Sequence, residues 1–325
     1  VEVIQSLIGG VTEAFTQVQA WLFTQLLAPT MHALGLSPYI EDGYNATEWF
    51  LLGVLEVLLL FALLRPLEKL WPAEAEPATV ERRRAVRTDF LYTLLHRLGG
   101  FSLLMFFLLT PIADAIEGEL RLAGVERWTL DTVLPWLGSH ALLQFAVYLL
   151  ILDFVDYWIH RGQHQFNRWW ALHALHHSAR HMTLWSDNRN HLLDDALRDV
   201  ILVALALVIG VEPAQFIGLV IASRVMQSLS HANVRLRFGP LRWLLVSPQF
   251  HRRHHAIGVG HEGAYQGVNF GVLFSFWDVL FRTADFTDVY EPTGIRDQLV
   301  GREYGQGFWA QQWLGVKRLL GLRSA

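Results

Sequence analysis

Between Trp49 and Leu64 the chain is apolar apart from Glu56. With its flanks the stretch reaches about 20 residues, the length a helix needs to cross the hydrocarbon of a bilayer. Any fold for this chain must give that segment an apolar surrounding. Two more segments carry the same constraint: Leu91 to Leu109, closed by Pro111, and Leu134 to Ile159. Composition agrees, with only 17% charged residues among the 325, against about 25% in soluble domains. The 13 Trp and 20 Phe suit a membrane protein, whose interfaces collect aromatic side chains. A formal charge of -4 without a basic stripe argues against a nucleic-acid partner.

The segments between the spans set an expected orientation. Arg65 to Arg87 reads as a loop and holds Arg65, Lys69, Arg82, Arg83, Arg84 and Arg87. A basic excess next to a span marks the cytoplasmic side. Ala113 to Asp131 is mainly acidic and reads as the opposite side. The third span then ends at the cytoplasmic face. Residues 1–40 read as short helices on or in the membrane, interrupted by Gly9-Gly10 and Pro29. They show no basic stretch followed by an apolar core and a cleavage site, so no signal peptide is expected. Val200 to Ile209 and Phe216 to Met226, broken at Glu212-Pro213, read as a helical hairpin. The expected fold is all-α: an integral-membrane helical bundle with a cytoplasmic histidine-rich cap. Four segments divide it: an N-terminal interfacial or membrane segment (1–43), transmembrane helices with the basic loop (44–132), a histidine-rich domain (133–285) and a C-terminal cytoplasmic tail (286–325).

The chain has no Cys and 15 His. Disulfides, Cys-ligated zinc and Cys-bound iron–sulfur clusters are thereby excluded. Nine of the His fall into four groups: His160 and His164; His173, His176 and His177; His231; and His251, His254 and His255. Helical residues three and four apart share a face, with Cβ atoms ~5–6 Å apart. His160 and His164 therefore reach one metal from successive turns. In H-x-x-H-H all three rings aim into one pocket, and the adjacent pair can split between two metals. One metal takes at most about six ligands, so nine imidazoles imply two metals with positions left for oxygen or water. Imidazole suits iron, zinc and copper. Iron is favoured because an all-nitrogen site in a lipid-facing protein makes most sense as oxygen chemistry.

Asp153 and Asp156 lie on the face of His160 and His164, and a carboxylate on the far N–H of a bound imidazole fixes its tautomer. His191 is a candidate tenth ligand or supporting group. His181 and His261 flank the motifs as supporting or solvated groups. His32 and His140 read as interfacial or packing residues, and His96 lies inside a span. Trp169, Trp170 and Trp185 read as an interfacial belt, with a channel lining as the alternative.

Those residues resemble the fatty acid hydroxylase / sterol desaturase superfamily. His160/His164, His173/His176/His177 and His251/His254/His255 stand in the family's order of boxes. Asp153-Phe-Val-Asp156-Tyr-Trp-Ile-His160-Arg161 is similar to the lead into its first box. His231-Ala-Asn233 looks like its isolated histidine. Asn269-Phe270-Gly271, then Trp277-Asp278, Phe281 and Thr283, looks like its closing motif. His191-Leu192 departs from the usual His-Pro, and Arg282 stands where a Gly usually precedes the Thr; subfamily and substrate stay open. The resemblance covers roughly residues 85–285. It implies a di-iron centre that uses O₂ and two external electrons to hydroxylate an unactivated C–H bond of a lipid (fatty acyl, sterol or related). Zinc is a possible substitute in a preparation. No cytochrome b5 domain is apparent, so electrons are expected from a separate ferredoxin, cytochrome b5 or reductase. The expected location is the bacterial inner membrane or an equivalent. Alternatives are a lipid desaturase on the same site and, in a different class, a zinc-dependent membrane hydrolase. The hydrolase is disfavoured by the absence of H-E-x-x-H. A metal transporter would spread its ligands through mid-membrane, and a structural zinc needs only four.

Overall fold

A computed structural model describes residues 2–76, 78–125, 129–211, 213–259 and 266–322. The described residues are helical, with no β-strand and two isolated bridges, Leu245 to Phe274 and Ala256 to Thr293. In order the helices are α1 Glu2–Leu22, α2 Ala28–Ala33, α3 Ile40–Leu70, α4 Val80–Arg97, α5 Gly100–Leu122, α6 Leu130–Val133, α7 Pro135–Gly138 and α8 Ala141–Gln165. They continue with α9 Asn167–His177, α10 Leu192–Ile209, α11 Pro213–His231, α12 Pro248–His254, α13 Phe276–Leu280 and α14 Phe308–Leu319. Among the described residues, three helical stretches are long and apolar enough to cross a membrane: Ser37–Leu70, Gly100–Leu122 and Ala141–Gln165. Pro77, Glu212 and His261 lie outside the described residues.

Several boundaries differ from the sequence-based reading. Gly9-Gly10 and Pro29 do not break the N-terminal segment, which is helical from Glu2 to Ala33. A π turn over Phe23–Leu27 precedes Pro29; such a bulge is one way a helix accommodates a residue that lacks the N–H. The second span shifts toward the C-terminus. Gly99 turns the chain with φ +82, a left-handed conformation favourable to glycine. The spanning helix starts after it and carries Pro111 inside. The basic loop shrinks to the stretch between α3 and α4, because Arg65–Leu70 complete α3 and Arg82–Arg87 lie in α4. The third span begins at Ala141, and His160 and His164 occupy its final turns.

The chain forms two compact units. The first comprises residues Val1–Leu59 and Leu94–Phe107. Within it Glu56, the one charge in the first apolar run, is not solitary: its carboxylate accepts from the Arg97 guanidinium, with both side chains almost wholly buried. Gly53 makes room for that end of α4, since a Cβ there would meet the Arg97 carbonyl oxygen at 1.7 Å.

The second unit comprises Leu60–Thr93 and Leu108–Ala325. One apolar core joins Leu60 and Leu64 of α3 to Leu184, Ala232 and Val234. A second gathers Tyr92, Ala174, Leu175, Ile295 and Tyr304 around α9. Buried carboxylates tie loops to these helices. Glu68 accepts the backbone N–H of Leu184 at 2.8 Å and of Asn233 at 3.1 Å, and Asp89 accepts from Arg189 at 2.6 Å. The expected polar tail is ordered: α14 packs along α9, and Tyr304 donates to the Ala171 carbonyl at 3.1 Å.

Truncating one partner of a buried ion pair leaves the other charge uncompensated, at about 3–5 kcal/mol. Glu56→Ala should therefore lower the thermal unfolding midpoint of the purified protein markedly, and Glu56→Ala with Arg97→Leu should recover part of it. Equal loss in the single and double variants would show that the pair is not coupled.

Candidate metal centre

The second unit brings all nine histidines of the four groups together. The C-terminal turns of α8 present His160 and His164. Helix α9 presents His173, His176 and His177. The last residue of α11 is His231, and α12 with its C-cap presents His251, His254 and His255. Every one of them is buried. They divide into two sets. His160, His164, His173, His177 and His254 form the first, and His176, His231, His251 and His255 the second; within each the ligand atoms lie within 4.8 Å of one another.

Helical spacing explains the division. His173 and His177, four apart, enter the first set, and His176 faces the second. In α12 the pattern reverses: His251 and His255, four apart, enter the second set, and His254 the first. Each adjacent pair is thus split between the sets. The sets adjoin where the His177 and His255 rings stack with centroids 4.3 Å apart.

Ring orientation is fixed from outside. The Nδ1 of His160 lies 2.8 Å from the Phe270 carbonyl, that of His254 2.6 Å from the Val268 carbonyl, and that of His231 2.8 Å from the Gln227 carbonyl. The Nδ1 of His173 lies 2.9 Å from Asp194 Oδ2. An acceptor at Nδ1 places the proton there and leaves Nε2 with a lone pair. In the second set the Nε2 atoms converge: His231 to His176 at 3.1 Å, His251 to His231 at 3.0 Å, His255 to His251 at 3.1 Å.

This donor set fits a pair of metal ions. Burial, reinforced by neighbouring imidazoles, holds His176, His177, His251 and His255 well below the ordinary histidine range. Burial brings His254 down to about 3. These rings are neutral at pH 7, the form that ligates. Among the described residues, Nε2 of His173, His177 and His254 and Nδ1 of His176, His251 and His255 are buried without a hydrogen-bond partner. An unsatisfied buried polar atom costs about 1–3 kcal/mol. The three Nε2 atoms of the first set, which a metal would take, would together cost on the order of 5 kcal/mol, a large part of the stability of a domain. A polar cavity of about 60 Å³ reaches His160 and His173 of one set and His231 and His251 of the other.

The supporting residues are not those the sequence pointed to. Asp153 accepts the N–H groups of Leu273 at 2.8 Å and Phe274 at 3.1 Å and the Trp277 indole at 3.0 Å. Asp156 takes the Arg198 guanidinium, Nε at 2.7 Å. Neither bonds to an imidazole: Asp153 serves the segment from Leu273 to Trp277, and Asp156, which lines the cavity beside His160, is taken by Arg198. The carboxylate on a histidine is Asp194, whose other oxygen accepts from Gln163 at 2.8 Å and Trp169 at 2.7 Å. Its signal was only its place in the first turn of α10, three residues after His191. His191 joins neither set: its Nδ1 accepts the Leu193 N–H at 3.2 Å, capping α10, and its Nε2 donates to the Gln312 carbonyl at 2.8 Å.

Asn233 pairs with both the N–H and the carbonyl of Glu74, at 3.0 and 2.9 Å. Asn269 donates to the carbonyls of Phe250 and Asp285, each at 2.9 Å. Both asparagines fasten the loops beside His231 and His254. Asp278 accepts the N–H groups of Phe270 and Gly271, both at 2.7 Å, and so holds the strip whose Phe270 carbonyl orients His160. Trp170 packs against His164 and His177, with centroids 5.1 and 5.2 Å away, and Trp185 against Phe61 and Phe90. His181 faces Glu74 at 3.5 Å, and His96 stacks on Phe101 within the first unit. His32 bonds to Ser37 and His140 to Ser139, each at 2.9 Å.

Comparison with known proteins accords with this geometry. Residues 145–283 match the model of the fatty acid hydroxylase family. This segment, under half of the chain, is similar to that family and holds all nine histidines of the two sets. It is 27% identical over 266 residues to an ornithine lipid hydroxylase of Rhizobium tropici, covering 81% of this chain and 74% of the relative. It is 30% identical over 149 residues to an alkylglycerol monooxygenase of Homo sapiens, covering 46% of this chain and 31% of the relative. It is 26% identical over 179 residues to a very-long-chain aldehyde decarbonylase of Oryza sativa, covering 50% of this chain and 26% of the relative. The chain thus spans under a third of the length of the latter two. No solved structure matches it.

Loss of a carboxylate behind a metal-bound histidine weakens metal binding about 10–100-fold. Asp194→Ala should do so in a chelator competition, whereas Asp156→Ala should leave metal affinity unchanged. The reverse ranking would return the supporting role to Asp156.

Proposed function

We propose that this protein is an integral-membrane di-iron oxygenase that hydroxylates an unactivated C–H bond of a lipid. The observation that carries the reading is the convergence of nine buried imidazoles into sets of five and four. His160, His164, His173, His177 and His254 would hold one iron, and His176, His231, His251 and His255 the other. Zinc is the substitute to expect in an iron-poor preparation. When bound, the iron pair supplies O₂ activation; overall, RH, O₂, two electrons and two protons give ROH and water. A separate ferredoxin, cytochrome b5 or reductase supplies the electrons.

The chain's own residues orient and exclude. Asp194 and the carbonyls of Phe270, Val268 and Gln227 fix the rings before any metal arrives. Trp170, Phe270 and Tyr157 pack against the first set or beside it and keep bulk water out. The polar cavity offers small molecules and protons a way to both sets.

Relatives named for ornithine lipid and alkylglycerol favour the apolar chain of a polar membrane lipid as substrate. The basic segment from Arg65 to Arg87 supports a cytoplasmic site, in a bacterial inner membrane or its equivalent. Zinc hydrolysis fits less well, since a hydrolytic zinc keeps three protein ligands and an open position, and each set here exceeds three.

Membranes from cells expressing the protein under ¹⁸O₂ should contain a lipid heavier by one ¹⁸O atom, lost on His254→Ala. A lipid product that forms without ¹⁸O incorporation, including a double bond, would overturn hydroxylation.

A further inference from the structure

Helix α14 is apolar on two faces: Phe308 and Leu314 pack inward on the Tyr92 cluster, yet its most buried positions are polar or small and its tryptophans are exposed. A helix on a water-soluble domain turns its apolar stripe inward. Here the buried residues are Gln311, Gln312 and Gly315, while Trp309 is 80% exposed, Trp313 58% and Leu320 64%. Positions 309, 313 and 320 share one helical face. The next apolar residue, Leu322, is exposed as well.

The inward face is held by specific bonds. The Gln312 amide donates to the Tyr92 hydroxyl and to the Asn190 carbonyl, each at 3.0 Å, and its oxygen accepts the Leu192 N–H at 2.9 Å. Its backbone carbonyl receives His191. Gly315 permits the approach, because a Cβ there would meet the His191 ring at 2.3 Å. The helix cannot roll its tryptophans inward without breaking this set.

What covers the outward face follows from its chemistry and its place. Tryptophan with lysine beside it is the pairing of the membrane–water interface, and the Lys317 ammonium lies 6.0 Å from the Trp313 ring centroid. Helix α14 packs on α9, and α9 packs on α8, the stretch long and apolar enough to span. At the C-terminal end of α8, Trp158 and Phe166 are also exposed.

We propose that α14 is an interfacial helix. Its Trp309, Trp313 and Leu320 face lies in the headgroup layer of the bilayer that α8 crosses, and its glutamine face sets the depth of α9. Helix α9 carries His173, His176 and His177, so α14 fixes how far the histidine sets stand from the lipid surface. The proposal rests on the reading of α8 as a span, not on the reaction.

The chain has no cysteine, so single labelling sites are free of background. Spin labels at Trp309→Cys and Trp313→Cys are compared with Leu150→Cys, in α8, and Arg302→Cys, in the segment before α14. The full chain is placed in phosphatidylethanolamine–phosphatidylglycerol nanodiscs, and collisions with O₂ and with a water-soluble nickel complex are measured. Both tryptophan sites should favour oxygen, by less than Leu150, while Arg302 favours nickel. Nickel preference at 309 and 313 with oxygen preference at 150 would overturn the interfacial helix alone. Shielding of both sites from both probes would mean a protein covers the face, and would also overturn it. Nickel preference at 150 would overturn the membrane reading together with the proposal.

Discussion

The structure depends on keeping nine imidazoles buried and aimed. A histidine ring has two nitrogens, and a metal takes one. Four of the nine rings have the other nitrogen occupied by a fixed acceptor: three backbone carbonyls and Asp194. That choice of acceptors adds little negative charge. Divalent ions held among these imidazoles would keep most of their charge, since the ligand set supplies almost none to offset it.

Three other buried carboxylates, Asp278, Asp153 and Glu68, serve the backbone. Asp278 gathers the Phe270 and Gly271 amides and the Thr283 hydroxyl, and burial still pushes it up to about 6. Asp153 gathers Leu273 and Phe274, and Glu68 gathers Leu184 and Asn233. Each pins an irregular segment whose amides would otherwise be unsatisfied in an apolar surrounding. The carbonyl that orients His160 comes from a segment held in this way. Two of the four ring acceptors, Phe270 and Val268, thus come from the loops after the last motif, far in sequence from His160.

The helical class, three spanning segments and the gathering of the nine histidines were legible in the sequence, because each rests on local spacing: apolar length for a span, intervals of three and four for rings on one face. Span boundaries were less legible. Gly99 sets where the second span begins, Pro111 lies inside that span instead of closing it, and a π turn lets the N-terminal helix pass Pro29. Partners distant in sequence were not legible. Asp156 shares a face with His160, yet Arg198 claims it from 42 residues away. His191 looked like a ligand and instead caps α10 and binds α14. Arg282, where the family pattern has Gly, takes φ 59, a left-handed conformation whose cost no local pattern displays.

The most direct test of the paired histidine sets is metal content joined to metal environment. The protein is purified from iron-rich cells, iron and zinc are counted per chain, and X-ray absorption at the iron edge reads the ligands. Two irons per chain in a first shell dominated by imidazole nitrogen is the predicted result. A single zinc per chain that does not yield to iron supply would contradict a di-iron centre and point to hydrolytic chemistry.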